Sequence, residues 1–557
     1  MAALGWEELD ILLISGDAYV DHPSFGTAIL GRWLVHHGYR VGVVAQPRWT
    51  APDDLKVMGR PRLFAGVTAG ALDSMVAHYT AFRKKRNDDA YTPGGVAGKR
   101  PNRACIVYSS LVKQAFPKLP IVLGGIEASL RRTSHYDFWT DQIRRPIILD
   151  AKADVVLYGM AERGILELAQ HVEDAQDMYG VSGAAFMGES PGGDVMVLPA
   201  HEEIATDPRK LMEATLATER HVLHANQVAV QQVEGRTLVM TAPRPLSGPE
   251  LDALYALPFT RDPHQSYVQP IPAADMIRFS MTSHRGCAGG CSFCTLAAHQ
   301  GRTIKSRSGK SLLDEATVFT HHPKWNGSIT DVGGPSANMW GGACSDDPSQ
   351  CQRASCVSPG ICPHFIVDQM KMLELLDEMK QVPKMKHVRI ASGVRYDLAL
   401  QDRKYISALV RDYVGGQLKI APEHFSDQVL RLMRKPNQKV FEQFLDIFDQ
   451  ECKAAGKEQY VIPYLLTAFP GCTSRDMEYL ADWLKRRGWR PQQVQCFIPL
   501  PGTVAAAMYH AGIDTQGRPI YVPKSDAERL RQHYMIAPQD EARRSPPGRA
   551  DERHRKH

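Results

Sequence analysis

The chain has 557 residues, a formal net charge of +5 and 43% hydrophobic residues. That is apolar content enough for buried cores and length enough for two to four domains, while so mild a charge gives no reason to expect a nucleic-acid partner. No apolar run approaches the roughly 18 residues of a membrane span, and the opening MAALGWEELDILLISG has neither a positive n-region nor a small-residue cleavage site, so a cytoplasmic protein without disulfides is expected.

In chain order, strand-like runs stand at DILLIS, RVGVVAQ, RLFAGV, CIVYSS, PIVLGG and DVVLYGM, with helical patterns between several of them, as at 26–38 and 164–172. Strands alternating with helices predict a parallel sheet covered by helices. The polar stretch 83–104 contains GGVAGKR. It lacks the first glycine and the Ser/Thr of a phosphate loop, and a flexible surface loop is expected. A hairpin is predicted over 226–243 with Glu234 and Gly235 at its turn. We therefore expect an N-terminal Rossmann-like α/β domain over 1–245 and a proline-rich connector over 246–275.

From 276 a second α/β run begins. MIRFSMT, GSITDVGG, HVRIASG, GQLKIAPEH, YVIPYLLTAFPG and VQCFIPLPGT are its strand candidates, separated by helical patterns at 365–380, 399–413, 438–456 and 474–487. Six strand–loop units predict a partial (β/α)6 TIM-type barrel over 276–515, with its chemistry at the C-terminal strand ends. The C-terminal extension, 516–557, ends in a charged segment without apolar periodicity, expected to be disordered.

Seven of the eleven cysteines fall between 287 and 362. SHRGCAGGCSFC places Cys287, Cys291 and Cys294 directly after the first barrel strand, amid glycines. Thiolates are soft ligands that suit zinc or iron–sulfur clusters. Structural zinc needs four closed ligands, so three thiols on one tight loop fit a cubic cluster better, with its fourth iron left open. A second group, Cys344, Cys351, Cys356 and Cys362, follows the second barrel strand. It is a candidate auxiliary metal site, zinc or a second cluster, with a metal-free loop as the alternative. The isolated Cys105, Cys452, Cys472 and Cys496 are expected in cores.

The first stretch resembles the signature of the radical S-adenosylmethionine (SAM) superfamily, Cys-x3-Cys-x-aromatic-Cys, with Phe293 as the aromatic residue. The wider match is closer. GGIEASLRRTSHYDFW, DDAYTPGGVAGKRP, DVGGPSANM and SGVRYDLA are together similar to the YgiQ family of radical SAM proteins. That resemblance implies a [4Fe–4S] cluster on Cys287, Cys291 and Cys294, SAM at the open iron, a 5′-deoxyadenosyl radical that takes hydrogen from a substrate, and an electron donor such as flavodoxin or ferredoxin. It implies SAM contacts at Gly333 and Gly334. Arg395 pairs the SAM carboxylate or forms a surface pair with Asp397; Glu423 holds ribose hydroxyls or caps the helix near Ser426; the PLPGT turn packs on adenine. The first domain resembles cobalamin-binding domains, but DAYVDHPSFG breaks their Asp-x-His-x-x-Gly pattern, and cobalamin is not expected. The RRTSHYDFW loop is left between facing substrate and capping a helix. An RNA-modifying methylthio- or methyltransferase and a non-catalytic iron–sulfur or zinc protein are the alternatives to a radical SAM enzyme.

Overall fold

The structure, a computed structural model, describes residues 1, 4–223, 227–347 and 350–537. The charged segment 541–557 lies outside them. The first domain is built on one nine-stranded sheet. Its strands are β1 (Ile11–Ser15), β2 (Val41–Ala45), β3 (Phe64–Thr68), β4 (Ile121–Gly124), β5 (Val155–Leu157), β6 (Ala184–Met187), β7 (Val195–Leu198), β8 (Val228–Val233) and β9 (Arg236–Met240), in the spatial order β2-β1-β3-β4-β5-β6-β9-β8-β7. The pairings from β2 to β5 are parallel, as the Rossmann-like expectation requires, and those from β5 to β8 are antiparallel. The β1 run is buried at every position, as a strand covered on both faces must be. Helices α1 (Gly26–His36), α2 (Ala104–Ala115), α3 (Glu162–Glu173) and α4 (Pro208–Leu223) belong to this domain.

Three local expectations are corrected. CIVYSS lies inside α2: Cys105, Tyr108, Ser109, Leu111 and Val112 are buried, a helical spacing that the β-branched run concealed. The stretch 83–104 is not a loose surface loop, because Arg100 is buried and ion-paired to both Asp17 and Asp89 at 2.9 Å. In the barrel region, Pro272–Ile277 is a helix with proline in its first turn, so the strand predicted at 276–282 shrinks to its last three residues.

Six parallel strands follow in sequence order. They are β10 (Ser280–Thr282), β11 (Ser328–Ile329 and Asp331–Gly333, interrupted at Thr330), β12 (His387–Val388), β13 (Gln417–Glu423), β14 (Tyr460–Thr467) and β15 (Gln493–Cys496). Ladders join β10 to β11, β11 to β12, and β13 to β14 to β15. Among the described residues β15 does not pair with β10, so the barrel is partial. One continuous core fills it: Phe441, Phe444 and Trp483 from the outer helices and Phe425 from the loop after β13 pack with Ile420 and Leu465 of the strands. Each such buried side chain contributes about 1.5–3 kcal/mol by leaving water. The first domain closes over the strand ends, with Ala81 and Phe82 against Ala468, Cys496 and Ile498. Among the described residues no helix is long and apolar enough to cross a membrane.

Candidate functional site

The three-cysteine loop hangs from the end of β10. Its base is pinched by a two-residue antiparallel ladder, His284–Arg285 against Lys305–Ser306, and by the bond from Cys287 N–H to the Gly301 carbonyl at 3.1 Å. Cys294 begins helix α5 (Thr295–Gln300), and its N–H donates to the Cys291 carbonyl at 3.1 Å. The Gly289 N–H lies 3.4 Å from the Cys287 sulfur. Gly290 adopts φ +56°, and a Cβ there would collide with the Ala354 carbonyl oxygen, so the loop can close tightly only with glycine.

Burial pushes the Cys287 and Cys294 thiols up, Cys294 to about 12, and the neighbouring thiols add to the rise. Two cations oppose this at Cys287, Arg395 and Lys435. Nη1 of Arg395 is 3.8 Å from the Cys291 sulfur. The other side of its guanidinium is held by Asp397, with Nε to Oδ1 at 2.9 Å. Both residues are buried, so the pair is not at the surface; it fixes a positive charge beside the sulfurs. Among the described residues no three His, Cys, Asp or Glu side chains converge on one ion. Three soft thiols with an amide and a guanidinium turned toward them suit a multi-iron cluster, which spreads its ligands wider than one zinc ion does.

The remaining sequence candidates ring this loop. Gly333 ends β11 and Gly334 follows it. A Cβ on Gly334 would fall 2.5 Å from Cε1 of the buried His284, whose Nδ1 meets the Ser283 hydroxyl at 2.9 Å and whose basicity burial lowers to about 4. Phe293 packs edge-on against Phe469. Glu423 ends β13 at φ +70°, half-buried, with its carboxyl raised by desolvation; Lys435 lies 3.8 Å away. The helix after it, Asp427–Met433, receives no side-chain cap, so Glu423 does not cap it. In the PLPGT turn Thr503 caps helix α6 (Val504–Ala511), and the Ala505 N–H donates to the Ser292 carbonyl at 2.9 Å, bracing the cysteine loop.

The second cysteine group is clamped onto the first. The Ser355 hydroxyl donates to the Gly289 carbonyl at 2.6 Å, and the Cys356 N–H to the Ala288 carbonyl at 2.9 Å. Cys351 and Cys362 act electrostatically on Cys356, Cys362 is buried, and Cys344 is exposed on a two-residue strand paired with Phe365–Ile366. In RRTSHYDFW, Arg131 pairs with Asp73 and Asp137 with Arg103, while Arg132 donates to the Ser129 carbonyl at 2.6 Å. His22 turns Nδ1 to the Ser24 N–H and Nε2 to Arg261 at 2.9 Å, so both imidazole nitrogens are engaged by protein. Sequence reasoning missed Lys435 and Arg434, which donates to the Gly290 carbonyl at 3.2 Å and pairs with Glu219 at 2.6 Å. It also missed the buried Arg285–Glu162 pair that ties the base of the cysteine loop to α3 at 2.6 Å. These lie far apart in sequence, and only RKP at 434–436 marks one of them.

A UPF0313 protein of Geobacter sulfurreducens is 47% identical over 543 residues, covering 96% of this chain and 90% of that protein. The chain belongs to the UPF0313 family. A UPF0313 protein of Thermotoga neapolitana is 44% identical over 94% of this chain and 95% of its own. The family model "Radical SAM N-terminal" matches residues 1–280. This UPF0313 protein is thus a radical SAM protein, as its YgiQ-like motifs imply. Its architecture is similar to that of TsrM from Kitasatospora setae, a radical SAM methyltransferase solved with tryptophan substrate and a SAM analogue: TM-score 0.51, 14% identity, 95% of this chain and 90% of that one. OxsB, a cobalamin-dependent SAM radical enzyme, gives TM-score 0.50 at 10% identity over 95% of this chain and 58% of that one. Likeness at such low identity establishes the fold, and both expected layers are present, the α/β domain and the partial barrel.

Proposed function

We propose that this UPF0313 protein is a radical SAM enzyme whose cluster is held by Cys287, Cys291 and Cys294. Bound there, a [4Fe–4S] cluster would supply one electron to the sulfonium of SAM, the chemistry that gives methionine and a 5′-deoxyadenosyl radical able to abstract hydrogen from a substrate. The observation that supports this reading is three half-buried thiols on one glycine-rich loop at a barrel strand end, with the Arg395 guanidinium 3.8 Å from the Cys291 sulfur.

The chain's own residues have separable tasks. Arg395, oriented by Asp397, and Lys435 supply positive charge that favours thiolates at the cysteine loop. With two sides of its guanidinium occupied, Arg395 serves the sulfurs rather than the SAM carboxylate. Gly333 and Gly334, at the end of β11, would offer backbone to the amino group of SAM. Glu423, paired only distantly with Lys435, can accept from ribose hydroxyls. Phe293 and Phe469 keep water from one side of the loop. In this reading residues 1–245 are the N-terminal α/β domain, 276–515 the catalytic barrel, and 246–275 the connector between them. Cys344, Cys351, Cys356 and Cys362 would supply the ligands of an auxiliary metal site. A flavodoxin- or ferredoxin-type donor supplies the electron, and cobalamin has no part, since His22 is committed to Ser24 and Arg261.

Anaerobic reconstitution tests this. Dithionite-reduced protein with SAM is expected to release 5′-deoxyadenosine, and joint replacement of Cys287, Cys291 and Cys294 by Ala to abolish both the release and the cluster absorbance. Unchanged release from the triple variant would remove the ligand assignment. Iron near eight per chain rather than four would support the auxiliary site as a second cluster.

A further inference from the structure

A cavity of about 360 Å³ lies at the carboxyl ends of the parallel strands of the first domain. It sits where the chain order reverses: β1 is followed by β2 on one side, and β3 pairs on the other. Crevices at such switch points are where open α/β sheets take ligands. Its floor is apolar, made by Leu13, Val122, Leu157 and Ile165, and deepened at Gly66, where a Cβ would press on the Leu13 side chain 2.8 Å away. Its far wall belongs to the barrel and includes Arg285, Leu296 and His299. The last two lie on α5, the helix that starts at Cys294.

The charged groups at this cavity are Asp17, Glu162 and Arg285. Asp17 is spoken for by Arg100 at 2.9 Å and the Ala71 N–H at 2.6 Å. Glu162 gives Oε1 to Arg285 at 2.6 Å, but its Oε2 is buried with no hydrogen-bond partner, in a residue only 2% exposed. A buried carboxylate oxygen left unpaired costs about 1–3 kcal/mol or more, so the site asks for a donor. With Asp17 neutralised by Arg100 and Glu162 by Arg285, the lining offers no free cation among the described residues to draw an anion.

We propose that this interdomain cavity is a second ligand site, selective for a neutral or cationic ring compound that donates a hydrogen bond from an amide or amine to Glu162. It needs no cluster, so it stands or falls apart from the radical SAM reading. The test uses the full chain, before and after cluster reconstitution, and a matched pair of probes: indole-3-acetamide and indole-3-acetate, which share a ring and differ in donor and charge. Saturable binding of the acetamide, by calorimetry and saturation-transfer NMR, at least about 10-fold tighter than the acetate, is expected in both preparations. Gly66→Val drives Leu13 into the cavity and is expected to abolish binding. Leu30→Trp, on the cavity face of α1, does the same without touching the sheet, should Gly66→Val fail to fold. Glu162→Gln should erase the preference for the acetamide. No saturable acetamide binding, equal binding of the acetate, binding that survives both filling variants, or a preference that survives Glu162→Gln would each overturn the proposal.

Discussion

Gly290→Ala tests the clamp between the two cysteine loops. At φ +56° an alanine carries left-handed strain of roughly 1–2 kcal/mol. Its Cβ also points into the Ala354 carbonyl oxygen and sits 3.2 Å from the Ser355 Cα. Backbone, not a flexible tip, must yield. Withdrawal of that segment breaks the Ser355–Gly289 and Cys356–Ala288 hydrogen bonds, at about 1 kcal/mol each. The total is about 3–4 kcal/mol, concentrated at residues 354–357. Since each 1.4 kcal/mol is tenfold, amide exchange there should accelerate by roughly 10²- to 10³-fold, while the core helix Gln438–Ala454 keeps its protection. Hydrogen exchange read by mass spectrometry measures both. Gly289→Ala is the control, because its Cβ meets only side-chain atoms, the Cys287 sulfur at 3.2 Å and Arg395 Nη1 at 3.4 Å, without a positive φ. If Gly290→Ala left exchange at 354–357 unchanged, the clamp would be refuted.

Three further outcomes follow from buried charges. Glu162→Ala strands the buried Arg285 and should destabilise the protein by about 3–5 kcal/mol in urea; a loss under 1 kcal/mol would contradict the pairing. Arg395→Met removes the cation beside Cys291 and should lower the reduction potential of the reconstituted cluster in an EPR-monitored titration, whereas an unchanged potential would detach Arg395 from the sulfurs. Burial holds His135, His284 and His424 at about 4, below the ordinary imidazole value of 6.5. Their folded-state values are depressed, so the unfolded chain binds more protons between those limits and stability falls as pH drops from 6.5 to 4, by at most about 3 kcal/mol per residue. Denaturation at pH 7.5 and 5 checks this; equal stabilities would contradict it.

Much of the architecture was legible because strand runs and helical spacing are local signals. Strands β11, β13 and β14 lie within GSITDVGG, GQLKIAPEH and YVIPYLLTAFPG. The same locality explains the failures. CIVYSS is β-branched but lies on a helix, because its buried positions recur at three and four, and tertiary burial overrides propensity. Arg100 looked like part of a solvated basic loop, yet its two carboxylate partners lie 83 and 11 residues away. At the site, the cysteine spacing carried the chemistry, since a cluster loop is contiguous. Arg395 was legible as a charge near the strand end, but its orientation by Asp397 toward sulfur required three-dimensional packing. Glu162, Lys435 and Arg434 reach the site from separate elements, and no motif joins them.

The central claim is best tested by EPR of the anaerobically reconstituted, reduced protein, with and without SAM labelled with ¹⁵N and ¹⁷O in its amino acid part. The account predicts that SAM shifts the cluster signal, that the labels couple to it, and that both effects vanish when Cys287, Cys291 and Cys294 are replaced. A cluster signal indifferent to SAM, or one that persists in the triple variant, would contradict it.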